Sequence, residues 1–352
     1  MSAIATIVVF LPFIFIIWLA NLADGRRERG ESGATAALIA YLLLGGFYGL
    51  LVFMGLLLQL AGPLIRQSSA LEQTGIDPTL MQDVVASLPI LGLGMWLPSL
   101  IALLLLLPPV RRALARFIPI EPASTVHAVA LSYTMLIVIN MALTLGVGLE
   151  NLSESLAAQG ETGAVGLADL WTQELMMAFW AVIGVGWLSR RSLAQVLARL
   201  GIVKPTRREV LIGVGTALVM VPLVLTLEAL AAQFGFGPEE AVEDLMEQLL
   251  GGLFSSLPGV LSIGLAAAIG EETLFRGALQ PRFGLVLTSL MFALVHSNYG
   301  VSTATLVVFI LGLVLGILRR RYNTTTSMIA HATYNTTLAS LSYLGLQFLQ
   351  NQ

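Results

Sequence analysis

An all-α fold, a polytopic transmembrane helical bundle with about ten membrane segments, is what this sequence predicts. Composition is the first reason: of 352 residues, 57% are hydrophobic and only 11% charged, with mean hydropathy +0.86. A typical soluble domain is about 45–50% apolar and about 25% charged. Patterning is the second: long apolar runs recur from one end to the other, whereas a membrane β-barrel would show short alternating segments. The third is that the charges sort by side.

The first apolar run, 3–20, has no basic residue before it and Arg26, Arg27 and Arg29 after it. That polarity reads as a retained helix with its N-terminus outside, not as a cleaved signal peptide. Further runs lie at 35–62, 90–107, 124–149, 171–188, 210–230, 253–275, 285–300, 303–318 and 327–348. The run at 285–300 is the weakest and suits a short or broken helix. The outside segments 63–89 and 231–252 have helical apolar spacing that suits the membrane interface. The inside segment 189–209 places Leu193, Val196, Leu197 and Leu200 on one face. It reads either as a basic amphipathic helix on anionic headgroups or as an ordinary connector.

With the N-terminus outside and the sides alternating, 17 of the 18 basic residues fall inside, all but Arg66. The outside loops hold 12 of the 21 acids, among them Glu239, Glu240, Glu243, Asp244 and Glu247. Positive charge favours the cytoplasmic side, so an even number of crossings is expected, with both termini outside. Glu174 and Glu228 read as outer helix ends. Seventeen arginines against one lysine are in keeping with a GC-rich bacterial genome, and so with a bacterial plasma membrane. Net charge −3 with scattered basic clusters argues against a nucleic-acid partner. The absence of cysteine removes disulfides, thiol nucleophiles, thiolate metal sites and palmitoylation.

The chain divides into residues 1–250, N-terminal membrane helices and loops, and 251–348, where the polar chemistry gathers. His127 stands alone near a membrane edge and reads as structural or interfacial. In "GEETLFRGALQPRFG", Gly270 to Gly284, Glu272 and Arg276 are four apart and can pair on one helical face, while Glu271 points elsewhere. Glu271 lies 11 residues before Arg282, which marks the cytoplasmic edge. That is at most about 16 Å, half of a hydrocarbon core about 30 Å thick. His296, 11 residues past Leu285, reaches a similar depth. His331 and Asn335 are four apart and share a face one to two turns into the last segment. One intramembrane polar residue can be helix-packing glue. Four at similar depth, each costing several kcal/mol or thereabouts, mark a functional site.

The order EExxxR (Glu271, Glu272, Arg276), FxxxH (Phe292, His296) and HxxxN (His331, Asn335) resembles the CPBP family, the CAAX-protease and bacteriocin-processing group that includes the type II CAAX prenyl endopeptidases. The resemblance covers about residues 250–348. It implies an all-helical intramembrane endopeptidase of glutamic type with a cavity open to the cytosol. Glu271 and His296 would activate water, and His331 with Asn335 would stabilise the oxyanion. Glu272 and Arg276 would form a supporting pair. The expected partners are the lipid bilayer and a peptide or membrane-anchored protein substrate, CAAX-like or a leader peptide, with no cofactor.

The residues themselves leave other routes open. Glu271, His296 and His331 also make a good catalytic zinc set, although no HExxH occurs. No aspartate lies inside a predicted membrane helix, which disfavours a paired-aspartate mechanism. Ser327, four residues before His331, leaves a serine route. Outside catalysis, the alternatives are an immunity or scaffolding protein and a proton-coupled transporter. The transporter lacks an inverted-repeat partner for its polar half.

Overall fold

Each of the ten apolar runs contains a helix in the computed structural model, which describes residues 3–67, 78–159, 164–236 and 240–350. In chain order the helices are α1 (Ala3–Glu28), α2 (Ala34–Gln67), α3 (Pro78–Leu105), α4 (Pro108–Leu114), α5 (Thr125–Val147), α6 (Leu149–Gln159) and α7 (Leu167–Gly184). They continue with α8 (Leu193–Leu200), α9 (Arg207–Gln233), α10 (Glu240–Phe254) and α11 (Leu257–Glu271). A π-helical segment (Glu272–Leu279) joins α11 to α12 (Gln280–Phe283). Then come α13 (Leu285–Val295), a 3-10 turn (Ser297–Tyr299), α14 (Thr303–Arg321) and α15 (Thr324–Gln350). Among the described residues the only β pairing is an isolated bridge between Trp187 and Arg191.

The chain is a multi-pass, all-helical membrane protein. Among the described residues, α1, α2, α3, α5, α9, α14 and the continuous run Leu257–Phe283 are long and apolar enough to cross a bilayer. The other three apolar runs differ for a physical reason. Helix α13 has 11 residues and spans about 16 Å. Helix α7 carries Asp169 and Glu174, and α15 is rich in Thr, Ser and Asn. Those polar residues lower the apolarity of both helices.

Helix α2 packs on α3, α3 on α5, and α1 on both α5 and α7. Helix α11 lies between α7 and α15, α15 also packs on α9, and α13 packs on α14. One apolar core unites α1, α2, α5 and α7 around Ile17, Leu44, Tyr48 and Val129. A second unites α9, α14 and α15 around Val221, Leu315 and Tyr334. A third joins the two halves, with Leu131 of α5 against Phe275, Phe283 and Phe292.

Several local expectations change. The 63–89 segment is largely the end of α2 and the start of α3, and its middle, 68–77, lies outside the described residues. So do 237–239 of the 231–252 segment, whose described residues lie mostly in the end of α9 and in α10. Helix α8 starts at a capping box of Ser192 and Gln195 and ends at Gly201 in the left-handed region (φ 70°). Its Val196 and Leu200 are buried against Val182, Trp187 and Ala278, while Leu193 is exposed. The apolar face is therefore spent largely on the protein itself. Glu174 is not at an exposed helix end: it is buried within α7, two turns from the N-terminus.

Candidate active site

The site is assembled from the α11–π junction, the end of α13 and the first half of α15. Glu271 is the last residue of α11, and Glu272 opens the π segment. An inserted residue in the helical ladder changes the register of the side chains that follow, and such bulges gather at functional sites. Arg276 still meets Glu272, with Nε 3.5 Å from the carboxylate, and both side chains are fully buried. The guanidinium lies over the Phe292 ring, 4.2 Å from its centroid, which gives the buried cation a second attractive contact.

Helix α13 stops at Val295 because His296 leaves the helical region (φ −84°, ψ 51°). The last turn of a helix leaves carbonyls without backbone partners. Here the His296 N–H donates to the Ala293 carbonyl, and its ring Nδ1–H donates to the Phe292 carbonyl at 2.8 Å. That bond makes Nδ1 the protonated nitrogen and leaves Nε2 as an acceptor. Irregular backbone at membrane depth survives only inside protein or along a cavity. Accordingly Ser297 is buried and its hydroxyl is held by Asn140 (2.7 Å) and Thr144 (3.1 Å) of α5. The Tyr299 ring stacks on the His296 ring at 5.7 Å.

Helix α15 is anchored at its start. Asn323 caps it by accepting from the Thr326 N–H at 2.8 Å, and its amide donates to Glu209 at the start of α9. Gly264 of α11 faces Ala332 and Thr336 so closely that a side chain there would strike both. That close approach sets His331 and Asn335 beside the end of α11.

His331 sits between the two adjacent glutamates. Its Nδ1 meets the Glu272 carboxylate at 3.0 Å, and its Nε2 is 3.8 Å from Glu271 and 3.1 Å from the Asn335 amide nitrogen. His296 Nε2 is 3.7 Å from the other oxygen of Glu271. Glu272 also accepts from the Ser327 hydroxyl, which lies 3.0 Å from the Leu315 carbonyl. The Phe292 ring contacts both imidazoles, at 5.9 Å from His331 and 5.1 Å from His296. Glu271, His296, His331 and Asn335 thus come together around one point, with Glu272, Arg276 and Phe292 beneath them. Ser327 is fully buried and points at Glu272. Among the described residues, no three His, Asp or Glu side chains are arranged to hold an ion.

The motifs did not show every contact. Glu272 does more than pair with Arg276, since it also holds His331 and Ser327. Glu174 of α7 packs on Gly270, where any side chain would collide with it, and so brings a third carboxylate beside Glu271. His127 serves structure: its Nδ1 accepts from the Glu121 N–H at 2.8 Å.

The last helices of an all-helical membrane scaffold thus gather two glutamates, two histidines and an asparagine, groups whose chemistry suits hydrolysis. Residues 253–337 match the family described as Type II CAAX prenyl endopeptidase Rce1-like. No curated protein and no solved structure matches the chain. Residues 253–337 therefore carry a domain similar to the CAAX-protease family.

Proposed function

We propose that the protein cleaves peptide bonds of membrane-associated substrates with a water activated jointly by Glu271 and His296, without a metal ion. The observation that carries this reading is the pair of acceptors 3.7 Å apart, a Glu271 oxygen and His296 Nε2, whose ring is fixed through Nδ1. One water can donate to both at ordinary hydrogen-bond lengths of about 2.7–3.0 Å. Its oxygen attacks the scissile carbonyl carbon, and its proton passes to Glu271 or His296. Asn335 supplies an amide donor for the oxyanion, and His331 supplies Nε2–H when the ring carries both protons. The proton taken from water then goes to the leaving amine. Glu272 fixes Nδ1 of His331 as the donating nitrogen and balances Arg276. CAAX-like tails and leader peptides are the substrate classes in view.

Purified, detergent-solubilised protein should hydrolyse a membrane-anchored CAAX-like peptide, and activity should survive prolonged EDTA or phenanthroline. Loss of activity with restoration by zinc alone would replace this mechanism with the zinc one. Absence of hydrolysis from a folded sample on CAAX-like and leader-type peptides alike would favour a binding role.

We further propose that residues 251–348 form the catalytic part, that the site opens to the cytoplasm of a bacterial cell and that both termini lie outside. The support is the sorting of 17 of 18 basic residues to one side. The chain has no cysteine, so single cysteines report cleanly. One at Arg320 should react only from the cytoplasmic side and one at Glu240 only from outside. The reverse pattern would invert the orientation of the site.

A further inference from the structure

A cavity of about 330 Å³ lies beside the catalytic cluster, between α1, α5 and α7 on one side and the π segment, α12 and α13 on the other. That volume is within the range of roughly 300–1,000 Å³ typical of small-ligand sites. Its body is apolar, formed by Phe13, Tyr133, Ile137, Met177 and Trp180. Neither Glu271 nor His296, His331 or Asn335 lines it. Along α5 the lining runs from Val126 to Asn140, about 21 Å of helix, or some two-thirds of a hydrocarbon core about 30 Å thick.

The charge sits at one end. Arg190, Arg191, Arg199 and Arg282 line the cavity near Val126 and His127. Arg190 pairs with Glu28 at 2.5 Å. Arg191 donates to the Val185 carbonyl and Arg199 to that of Gly277, 3.3 Å away. Among the described residues, Arg191, Arg199 and Arg282 meet no carboxylate, and the buried Nε of Arg190 has no hydrogen-bond partner. Burial, then the like charges of Arg282 and Arg191, push the Arg199 pKa down to about 10. Four cations against one carboxylate, at the mouth of a long apolar chamber, are complementary to an anionic head on a hydrocarbon chain.

We propose that this cavity binds one anionic phospholipid, with an acyl chain in the apolar body and its phosphate among the four arginines. Arginine suits phosphate because its planar fork donates two parallel hydrogen bonds. The lipid would join the N-terminal helices to the segment that carries Glu272 and Arg276, since Leu274, Phe275 and Leu279 form part of the wall. This gives the N-terminal membrane helices a binding role of their own, independent of peptide hydrolysis.

Native mass spectrometry of the full-length protein in detergent tests the assignment, with phosphatidylglycerol and phosphatidylcholine of identical chains added in parallel. One phosphatidylglycerol should be retained in preference to phosphatidylcholine. Arg282→Gln should weaken retention by about five-fold, the effect of one basic residue near an anionic headgroup. Arg282 is exposed, so this change leaves the core intact. Ala130→Phe, which fills the chamber from α5, should abolish retention. Thermal unfolding in lipid-free detergent checks that this variant folds. Equal retention of the two lipids, or retention of phosphatidylglycerol unchanged by Arg282→Gln, overturns the proposal. So does one-for-one displacement of the lipid by a farnesylated peptide, which would make the cavity a substrate site.

Discussion

Glu271→Gln should reduce peptide hydrolysis by about 10²–10⁴-fold, the contribution of a positioned general base, and leave thermal unfolding in detergent near that of the parent protein. The expectation of stability comes from the contacts. The nearest side-chain nitrogens to Glu271 are imidazole nitrogens at 3.7 and 3.8 Å, too far for direct hydrogen bonds, and its Oε2 has no hydrogen-bond partner. Glutamine has nearly the same size and keeps an acceptor, so little packing is lost. What disappears is the ability to take a proton from water. Turnover of a quenched fluorescent substrate, measured beside the unfolding midpoint, separates the two effects. Substantial residual cleavage in Glu271→Gln, alongside a stable but inactive Glu272→Gln, would exchange the roles assigned to the two glutamates.

Much of the scaffold was readable because membrane segments obey one dominant rule: the backbone must satisfy itself, so apolar runs become helices. The weakness of the 285–300 run was itself informative. Its helix ends at Val295, and His296 stands at the break. What the sequence did not show was register inside Glu272–Leu279, because a regular turn of 100° per residue was assumed and the segment is π-helical. Nor did it show partners on other helices. Glu174 lies nearly a hundred positions before Glu271 in the chain, and only Gly270, which leaves room for it, hints at the contact. Asn140 and Thr144 of α5 likewise meet the Ser297 hydroxyl from more than 150 positions away. Long-range pairing of this kind has no local pattern to betray it.

Glu272→Gln should behave unlike Glu271→Gln, losing stability together with activity. Glu272 and Arg276 have no solvent exposure, and the carboxylate accepts from His331 Nδ1 and the Ser327 hydroxyl while facing the guanidinium at 3.5 Å. An amide in its place can accept on one side only and offers donors on the other. Arg276 is then a buried cation that has lost its adjacent carboxylate and keeps only the Phe292 face and the more distant Glu271 charge. Breaking a buried ion pair from one side costs about 3–5 kcal/mol, enough to lower the unfolding temperature by several degrees for a chain of this size. Adding Arg276→Gln should recover part of that stability, since no lone charge remains in the core. Activity should stay low in the double variant, because His331 has lost the carboxylate that fixes its ring. Unfolding midpoints of the two single variants and the double variant form a cycle that measures the coupling. Strict additivity would mean that the Glu272–Arg276 pair contributes nothing beyond its parts, and Glu272 would then act through His331 alone.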